Sequence, residues 1–284
     1  MEEAINAHYF HCSMHCLNLS AAKAVTTPSV RHTQEIVKEV VSFFRSSAKR
    51  SGLLKKCIEK CEDTRISKSH LMTACTTRFI ERHTSIVCFR SLLRFIVESL
   101  SQMTTWQSSE ARKKAYTLIH SISQTETVIG LVVLENISSI MLPTTRLLQT
   151  EGIDLVNAMS GVDDMLAMLE SLRSSDSFGR IFEEAQKVAE LLGITLTKPR
   201  TVRSVYRATT SSEDTSLDEY YRINAFYPTL DDILQDLRLR FSPKQQQAAN
   251  FSRAVPAFMD FRDEEGDWRK LEMAVNTYIE KWVS

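Results

Sequence analysis

Three side chains near the N-terminus have types and spacing that suit a metal site or a reactive centre. The stretch YFHCSMHCLNLSAAKA places Cys12 three residues before His15, with Cys16 directly after it. Cys12 and His15 are half of a possible zinc site, because structural zinc takes four thiolate or imidazole ligands, usually in two close pairs. They also have the residue types of a nucleophile and its base. Their closeness in sequence gives no sign of a catalytic pair that the fold assembles.

The second half of a zinc site would have to come from much further along the chain. The candidates are Cys57 with Cys61, or Cys75 with His83. Neither pair has zinc-finger spacing, and Cys57 and Cys61 would simply share one face of a helix. The sequence therefore favours buried thiols, since a free cysteine packs as a small apolar residue. We predict no metal ligand here.

Other chemistry-bearing patterns are weak or missing. Adjacent carboxylates occur three times, at Asp163–Asp164, Glu183–Glu184 and Asp231–Asp232, each inside an amphipathic helix pattern. Such pairs usually lie on a solvated face or favour a helix N-terminus. The chain has only 7 glycines and contains none of the glycine-rich phosphate-binding or nucleophile motifs.

Basic side chains are the strongest electrostatic feature. The chain has 35 basic and 35 acidic residues, but residues 1–100 hold 15 basic and 9 acidic ones, a net charge of +6. One cluster lies at 45–60 and a second at 198–207. Either cluster is suited to contact phosphates. A solvated helix surface is the alternative interpretation of both.

The elements that would carry these residues are helices. Apolar residues recur at three- and four-residue spacing, with charges between them, in 29–50, 78–103, 109–123, 126–148, 151–173 and 177–192. Pro28 suits the start of the first of these, Pro143 predicts a break near 143, and Gly193 predicts the end of the last. Further helices are expected at 216–226, 228–241 and 262–282, after a polar linker. We predict an all-α chain, with at most one strand around Tyr9 to His11.

The sequence also predicts the cellular compartment of the protein. The acidic first ten residues have no apolar core typical of a signal peptide, and the longest apolar runs are too short to span a bilayer. The protein is expected inside the cell, with its 6 cysteines reduced.

Three sequence blocks, in order, resemble the hAT superfamily of DNA transposases. FHCSMHCLNLSAAKAV followed by IVKEVVSFFRSSAKRSGLL is similar to the family's C-x-x-H-x-L-N-L pattern and its helix ending in FF-S-x-KR. CTTRFIERHTSIVCF has Arg78-Phe79 where the family has an Arg-Trp pair. The stretch 198–241 resembles the family's K-P-R linker and the Y-Y-R, L-D and R-F elements after it. The closest branch is the domesticated copies known as zinc finger MYM-type-like and repressor-of-the-inhibitor-of-the-protein-kinase-like proteins.

This resemblance implies a nuclear protein whose ribonuclease-H-like core is interrupted by a large helical insertion domain. In the family, two Asp and one Glu cut DNA through two divalent ions. The two Asp precede the C-x-x-H block, but residues 1–11 contain no Asp. The Glu lies near a serine-rich dimerisation segment, to which the end of this chain shows no match. The expectation is therefore a non-enzymatic fragment with no catalytic residue, no metal and no cofactor.

The resemblance also divides the chain and nominates residues. It implies a core remnant at 1–30, the insertion domain at 31–193, a basic linker at 194–215 and C-terminal helices at 216–284. The structural motif is Cys12, His15, Leu17, Asn18 and Leu19. The candidate DNA-contacting residues are Arg78, Phe79, Lys49, Arg50, Lys55, Lys56, Lys198 and Arg200.

The expected function is residual DNA or chromatin association, or self-association, in the nucleus. The candidate partners are DNA, a second copy of the chain and other nuclear proteins. Neither a membrane nor a small-molecule substrate is expected. The alternatives are a protein-interaction scaffold that uses exposed helix faces, or a decayed transposon fragment with no function.

Overall fold

The computed structural model describes residues 12–23, 27–60, 70–72, 79–150, 152–199, 215–243 and 249–250, and seven residues between 268 and 276. Within these ranges the regular structure is helical and contains no strand, which confirms the expectation of a mainly α chain. The strand expected around Tyr9 to His11 lies outside the described residues.

Eleven α-helices and one π-helical turn form the described part of the fold. In chain order they are α1 (Ser13–Lys23), α2 (Pro28–Arg45), α3 (Ala48–Glu59), α4 (Phe79–Ser91), α5 (Leu93–Met103), α6 (Ser109–Ile122), α7 (Thr125–Leu147), α8 (Leu155–Ser171), α9 (Ser175–Leu192), α10 (Leu217–Tyr221), the π-turn (Arg222–Phe226) and α11 (Tyr227–Arg240).

Helix α7 is the centre of the core. Nine of its first ten residues, Thr125 to Leu134, are buried, so the first part of the helix is covered on every side. Helices α2, α4, α8 and α9 pack along it. Among the described helices, α7 is the one long and apolar enough to cross a membrane, but 67% of its apolar window is buried inside the protein. That burial is what a core helix of a globular fold shows.

Two of the expected helix ends are confirmed. Pro28 is the first residue of α2, where its missing N–H costs nothing. Gly193 follows the last residue of α9 with φ of 65°, the left-handed conformation that closes a helix most easily with glycine.

The break expected near Pro143 is wrong, because α7 continues through it to Leu147. Pro143 and Ser139, whose carbonyl loses its usual N–H donor, are both exposed. Water can satisfy that carbonyl. The proline also lies only one turn before the helix end, so little helix depends on the lost bond.

The single helix expected over 78–103 is two helices that meet at Leu92. The backbone of Leu92 has φ of −98° and ψ of 2°, and its carbonyl accepts from the N–H groups of both Phe95 and Ile96. Leu92 is itself fully buried, so the apolar pattern continues through the turn. The periodicity alone therefore contains no sign of the break.

The two helices expected on either side of Tyr227 form one continuous helical segment, Leu217 to Arg240. The π-turn joins them, with the Tyr227 N–H donating to the Arg222 carbonyl. This wider turn accommodates Pro228. Pro228 has no N–H to donate to the carbonyl of Asn224, but Asn224 is exposed, so water can reach that carbonyl. In the helix expected over 262–282, the described residues are helical.

A half-buried ionic network ties three helices together around α7. Arg90 of α4 donates to Glu135 of α7 at 2.5 Å and to Glu184 of α9 at 2.7 Å. Lys187 donates to the same Glu184 at 2.7 Å. Hydrogen bonds from Lys187 and then Arg90 lower the pKa of Glu184. Burial alone would lower the pKa of Arg90, but its bonds to Glu135 and Glu184 outweigh that effect and raise it.

Replacing Arg90 by Met should lower the free energy of unfolding at pH 7 by about 1–3 kcal/mol. This range lies between exposed and fully buried ion pairs, because Glu184 is 39% exposed while Arg90 is 24% exposed. The pKa of Glu184 is lowered in the folded state, so its contribution is present above the unfolded pKa and is lost as pH falls through the folded value. Urea unfolding of both proteins should therefore show the difference shrinking below about pH 4.

The matched control is Lys187→Met, which removes the other cation bound to Glu184. Lys187 is exposed on the outside of α9 and bridges no second helix. The control should leave the stability nearly unchanged. An equal loss for the two variants would show that the contact between α4, α7 and α9 contributes nothing beyond a surface ion pair.

Candidate nucleic-acid interface

The N-terminal Cys-x-x-His block lies at the start of α1, with its two potential ligands facing solvent. Cys12 and His15 are exposed, whereas Cys16 and Leu17 are almost completely buried. Helix α1 packs along α11. Burial raises the pKa of the Cys16 thiol, and the nearby positive charge of Arg240 offsets this only in part. A thiol with a raised pKa is a poor nucleophile at neutral pH.

The described residues do not assemble a zinc site around this block. No group of three His, Cys, Asp or Glu side chains in the described ranges is placed to hold a metal ion. Cys57 is buried and accepts a hydrogen bond from Gln102 of α5. His83 is buried against Ser138 of α7. The other two nominated cysteines, Cys61 and Cys75, lie outside the described residues.

Asn18 connects the first sequence block to the second. Its side-chain Oδ1 accepts a hydrogen bond from the Phe79 N–H at 3.1 Å. Phe79 is the first residue of α4, so its N–H is one of the donors that a helix start leaves without a backbone partner. Asn18 therefore acts as an N-cap supplied from 61 residues earlier in the chain. This role has no local sequence signal, because cap signals are recognised only beside the helix that they start.

Phe79 does not present its ring to solvent. It is 4% exposed and belongs to the hydrophobic core. The ring lines a small interior cavity together with polar side chains of α2, α4 and α7, namely Gln34, Arg82, His83 and Ser138. In this structure the ring is not available for stacking on a base. Arg78 lies outside the described residues.

His83 and Ser138 form a polar contact inside this cavity. His83 Nδ1 lies 2.7 Å from the Ser138 hydroxyl, and the same hydroxyl lies 3.1 Å from the Glu135 carbonyl. In the Glu-Arg-His stretch of α4, Arg82 and His83 are both buried in the protein interior, at 8% exposure each.

Helix α3 carries the exposed basic side chains. Leu54, Cys57 and Ile58 face the core. Lys49, Lys56 and Lys60 are exposed and are separated by seven and four residues, so they follow one line along the opposite side. We call these three residues the lysine stripe. Lys55 lies beside it and pairs with Glu59 at 3.6 Å.

Two of the cations on α3 are also in contact with aromatic rings. The Arg50 guanidinium stacks over Phe43 at 4.1 Å and donates to the Ser46 hydroxyl, so Arg50 is half-buried and engaged within the fold. The Lys49 ammonium lies 4.4 Å from the ring centre of Trp106, in the connection between α5 and α6. Lys49 remains exposed in this position, and the contact places one end of the stripe beside the start of α6.

The second basic cluster lies largely outside the described residues, and its first cation is bound within the protein. Lys198 donates to the Thr215 carbonyl, and Arg200 lies outside the described ranges. The residue before Lys198, Thr197, is held by two hydrogen bonds: its N–H donates to Thr125 Oγ1 and its carbonyl accepts from the Tyr221 hydroxyl. Burial raises the pKa of Tyr221, so this donor stays protonated at physiological pH.

The adjacent carboxylates do not converge on a common site. Asp163 and Asp164 are exposed on α8. Asp231 binds Arg173 through two 2.9 Å bonds, and these bonds lower the pKa of that carboxyl. Asp232 accepts from Thr27 at the start of α2, and Glu184 belongs to the network of Arg90.

The chain is similar to proteins named "52 kDa repressor of the inhibitor of the protein kinase". The human protein is 26% identical over 267 residues, and the mouse protein is 26% identical over 268 residues. Each alignment covers 91% of this chain but only 35% of the relative, so the chain spans about a third of the length of these relatives. No protein-family model matches the chain, and no solved structure matches it.

Replacing Asn18 by Ala should destabilise the protein by about 1 kcal/mol, because the Phe79 N–H loses its acceptor. Urea unfolding at pH 7 measures this change. Asn18→Asp keeps an acceptor of the same length and adds a negative charge at the N-terminus of α4, so this variant should keep the stability of the parent or exceed it. An equal loss in both variants would exclude a capping role for Asn18.

Proposed function

We propose that this chain is a non-enzymatic regulator, derived from a hAT-superfamily transposase, that associates with nuclear DNA through the lysine stripe of α3. The observation that carries the proposal is the stripe itself: Lys49, Lys56 and Lys60 are exposed along one side of a helix whose other side is buried. Lys55, one of the cations nominated from the sequence, lies at the edge of the stripe and is paired with Glu59.

The transposase origin is supported by sequence likeness on two levels. The three blocks at 8–256 resemble the hAT pattern, and the curated relatives carry the name of a repressor. The structure adds a physical link between two of the blocks, since Asn18 caps the helix that begins at Phe79. The proposal extends to the division of the chain: α1 derives from the edge of a ribonuclease-H-like core and the helices that follow from its insertion domain.

The non-enzymatic role is supported by the names of the relatives. Both relatives are named as repressors, which describes regulation of another protein. The proposed activity is therefore binding alone, without a metal or another cofactor.

The geometry of the stripe suits a phosphate backbone. Eleven residues separate Lys49 from Lys60, which corresponds to about 16 Å along a helix. Phosphates on one strand of duplex DNA follow each other by about 3.4 Å along the axis, so three ammonium groups at this spacing reach several phosphates of one strand. Lysine acts as a point charge on phosphate and does not read base edges as a bidentate arginine does. Binding should therefore be independent of sequence and sensitive to salt.

Changing Lys49, Lys56 and Lys60 together to Gln should weaken duplex binding at least tenfold at low salt. Each ammonium that contacts a phosphate contributes about one unit to the slope of log affinity against log salt concentration, so the slope should become shallower by about two to three units. Fluorescence anisotropy with a labelled 20-base-pair duplex at several salt concentrations measures both quantities.

The control removes the same number of cations elsewhere, by changing Arg146, Lys187 and Arg238 to Gln. These residues are exposed on α7, α9 and α11. The control should keep the salt slope of the parent. If both variants bind equally well, or if the parent chain does not bind the duplex, DNA association through α3 is wrong.

A groove between α8 and α11 supports a protein-interaction scaffold as the second candidate function. The groove has a volume of about 530 Å³ and is bordered by two ion pairs, Arg173 with Asp231 and Arg238 with Glu170. Leu239 on its edge is 68% exposed, which is unusual for a leucine on a helix that is otherwise packed. Binding to a partner protein at this groove would be lost on Leu239→Glu and would depend little on salt.

A further inference from the structure

The outer face of α6 presents an aromatic ring among positive charges. Tyr116 is 59% exposed. Arg112 and Lys113 precede it by four and three residues, so all three side chains are neighbours on the helix surface. His120 follows one turn later on the same side, and all four residues are exposed. We call these residues the α6 face.

The packing of α6 shows which of its basic side chains form contacts within the protein. Ala111, Ala115, Leu118 and Ile122 form the buried side. Lys114 lies between the two sides and pairs with Glu39 of α2. The side chains of Arg112 and Lys113 make no ion pair or hydrogen bond with any described residue, and both point away from the core. Of three consecutive basic residues, one stabilises the bundle and two are left for an external ligand.

An exposed tyrosine alone has no special meaning, because more than half of a protein surface is apolar. The distinguishing feature is a ring with two uncompensated cations within one helical turn. Proteins bind unpaired nucleotides with this combination: the ring stacks on a base while the cations hold neighbouring phosphates. In a duplex the bases stack on each other, so Tyr116 has a partner only where a strand is unpaired.

One end of the lysine stripe lies near the start of α6. Trp106, which lies under the Lys49 ammonium, is two residues before Ser108, the residue that caps α6. The stripe on α3 thus ends beside the start of α6.

We infer that the α6 face binds single-stranded DNA, with one base stacked on Tyr116 and adjacent phosphates held by Arg112 and Lys113. This rests on the proposed function in taking DNA as the ligand. It adds a preference that the lysine stripe does not provide, because point charges on α3 do not distinguish paired from unpaired strands. The aromatic residue nominated from the sequence for base stacking, Phe79, is buried, so Tyr116 takes that role instead.

The test compares two labelled probes on the 284-residue chain by fluorescence anisotropy: a 20-nucleotide oligo(dT) and a 20-base-pair duplex, at one fixed salt concentration. Tyr116→Ala should weaken binding of oligo(dT) about tenfold or more, since one stacked base is lost. Binding of the duplex should change less than twofold. Tyr116→Phe keeps the ring and should bind both probes as the parent does.

Matched variants separate stacking from charge and from folding. Arg112→Gln with Lys113→Gln should weaken oligo(dT) binding and make its salt slope shallower, whereas Tyr116→Ala should leave that slope unchanged. Thr117→Ala, at an exposed neighbouring position of α6, should change neither probe. Melting temperatures of all variants should match the parent, because none of these side chains is buried.

The outcomes distinguish this inference from the proposed function. Equal weakening of both probes by Tyr116→Ala, no effect on either, or no binding of oligo(dT) by the parent would each overturn single-strand binding at α6. None of these results alters the test of the lysine stripe, which is read from the duplex alone. Conversely, loss of oligo(dT) binding in Tyr116→Ala supports the α6 face even if the stripe variant still binds the duplex.

Discussion

The first part of helix α7 must be covered on every side, and this requirement determines the arrangement of the helices around it. Its first ten residues form an almost unbroken buried run, so no face remains for water. A helix that is apolar all round is stable only in the interior of a larger structure. Helices α2, α4, α8 and α9 provide that cover. Directly after this buried run, the partly buried carboxylate of Glu135 is paired with Arg90.

The cover is completed by contacts between distant parts of the chain. Helix α1 packs on α11, and Thr27 at the start of α2 donates to Asp232. Tyr221 and Thr125 hold the segment at Thr197 from opposite sides. Contacts over such separations close large loops, and the resulting entropy cost is recovered only when the whole core forms. The N-terminal and C-terminal helices therefore depend on each other for their stability, and the Cys-x-x-His block is part of this closure.

Much of the fold was predictable because its determinants are local. Pro28 and Gly193 mark helix ends by constraints on their own backbones, and the structure agrees with both. The break predicted near Pro143 does not occur, and the break that does occur at Leu92 is not predicted. The effect of a proline in a helix depends on whether water reaches the carbonyl that loses its N–H donor. The turn at Leu92 interrupts the helix but not the apolar pattern. Neither fact is contained in the periodicity of the sequence.

The candidate binding residues also could not be predicted fully from the sequence. Likeness to a motif nominates residue types, but binding also requires exposure, which depends on the completed fold. Phe79 has a suitable ring but lies in the core. Arg50 has a suitable charge but is half-buried and stacked on Phe43. Asn18 has no obvious chemistry but caps a helix 61 residues away. For a regular helix the exposed side can be read from the sequence once its buried side is known. The apolar positions of α6 already place Tyr116 opposite the core, and two adjacent cations are what make that position chemically distinctive.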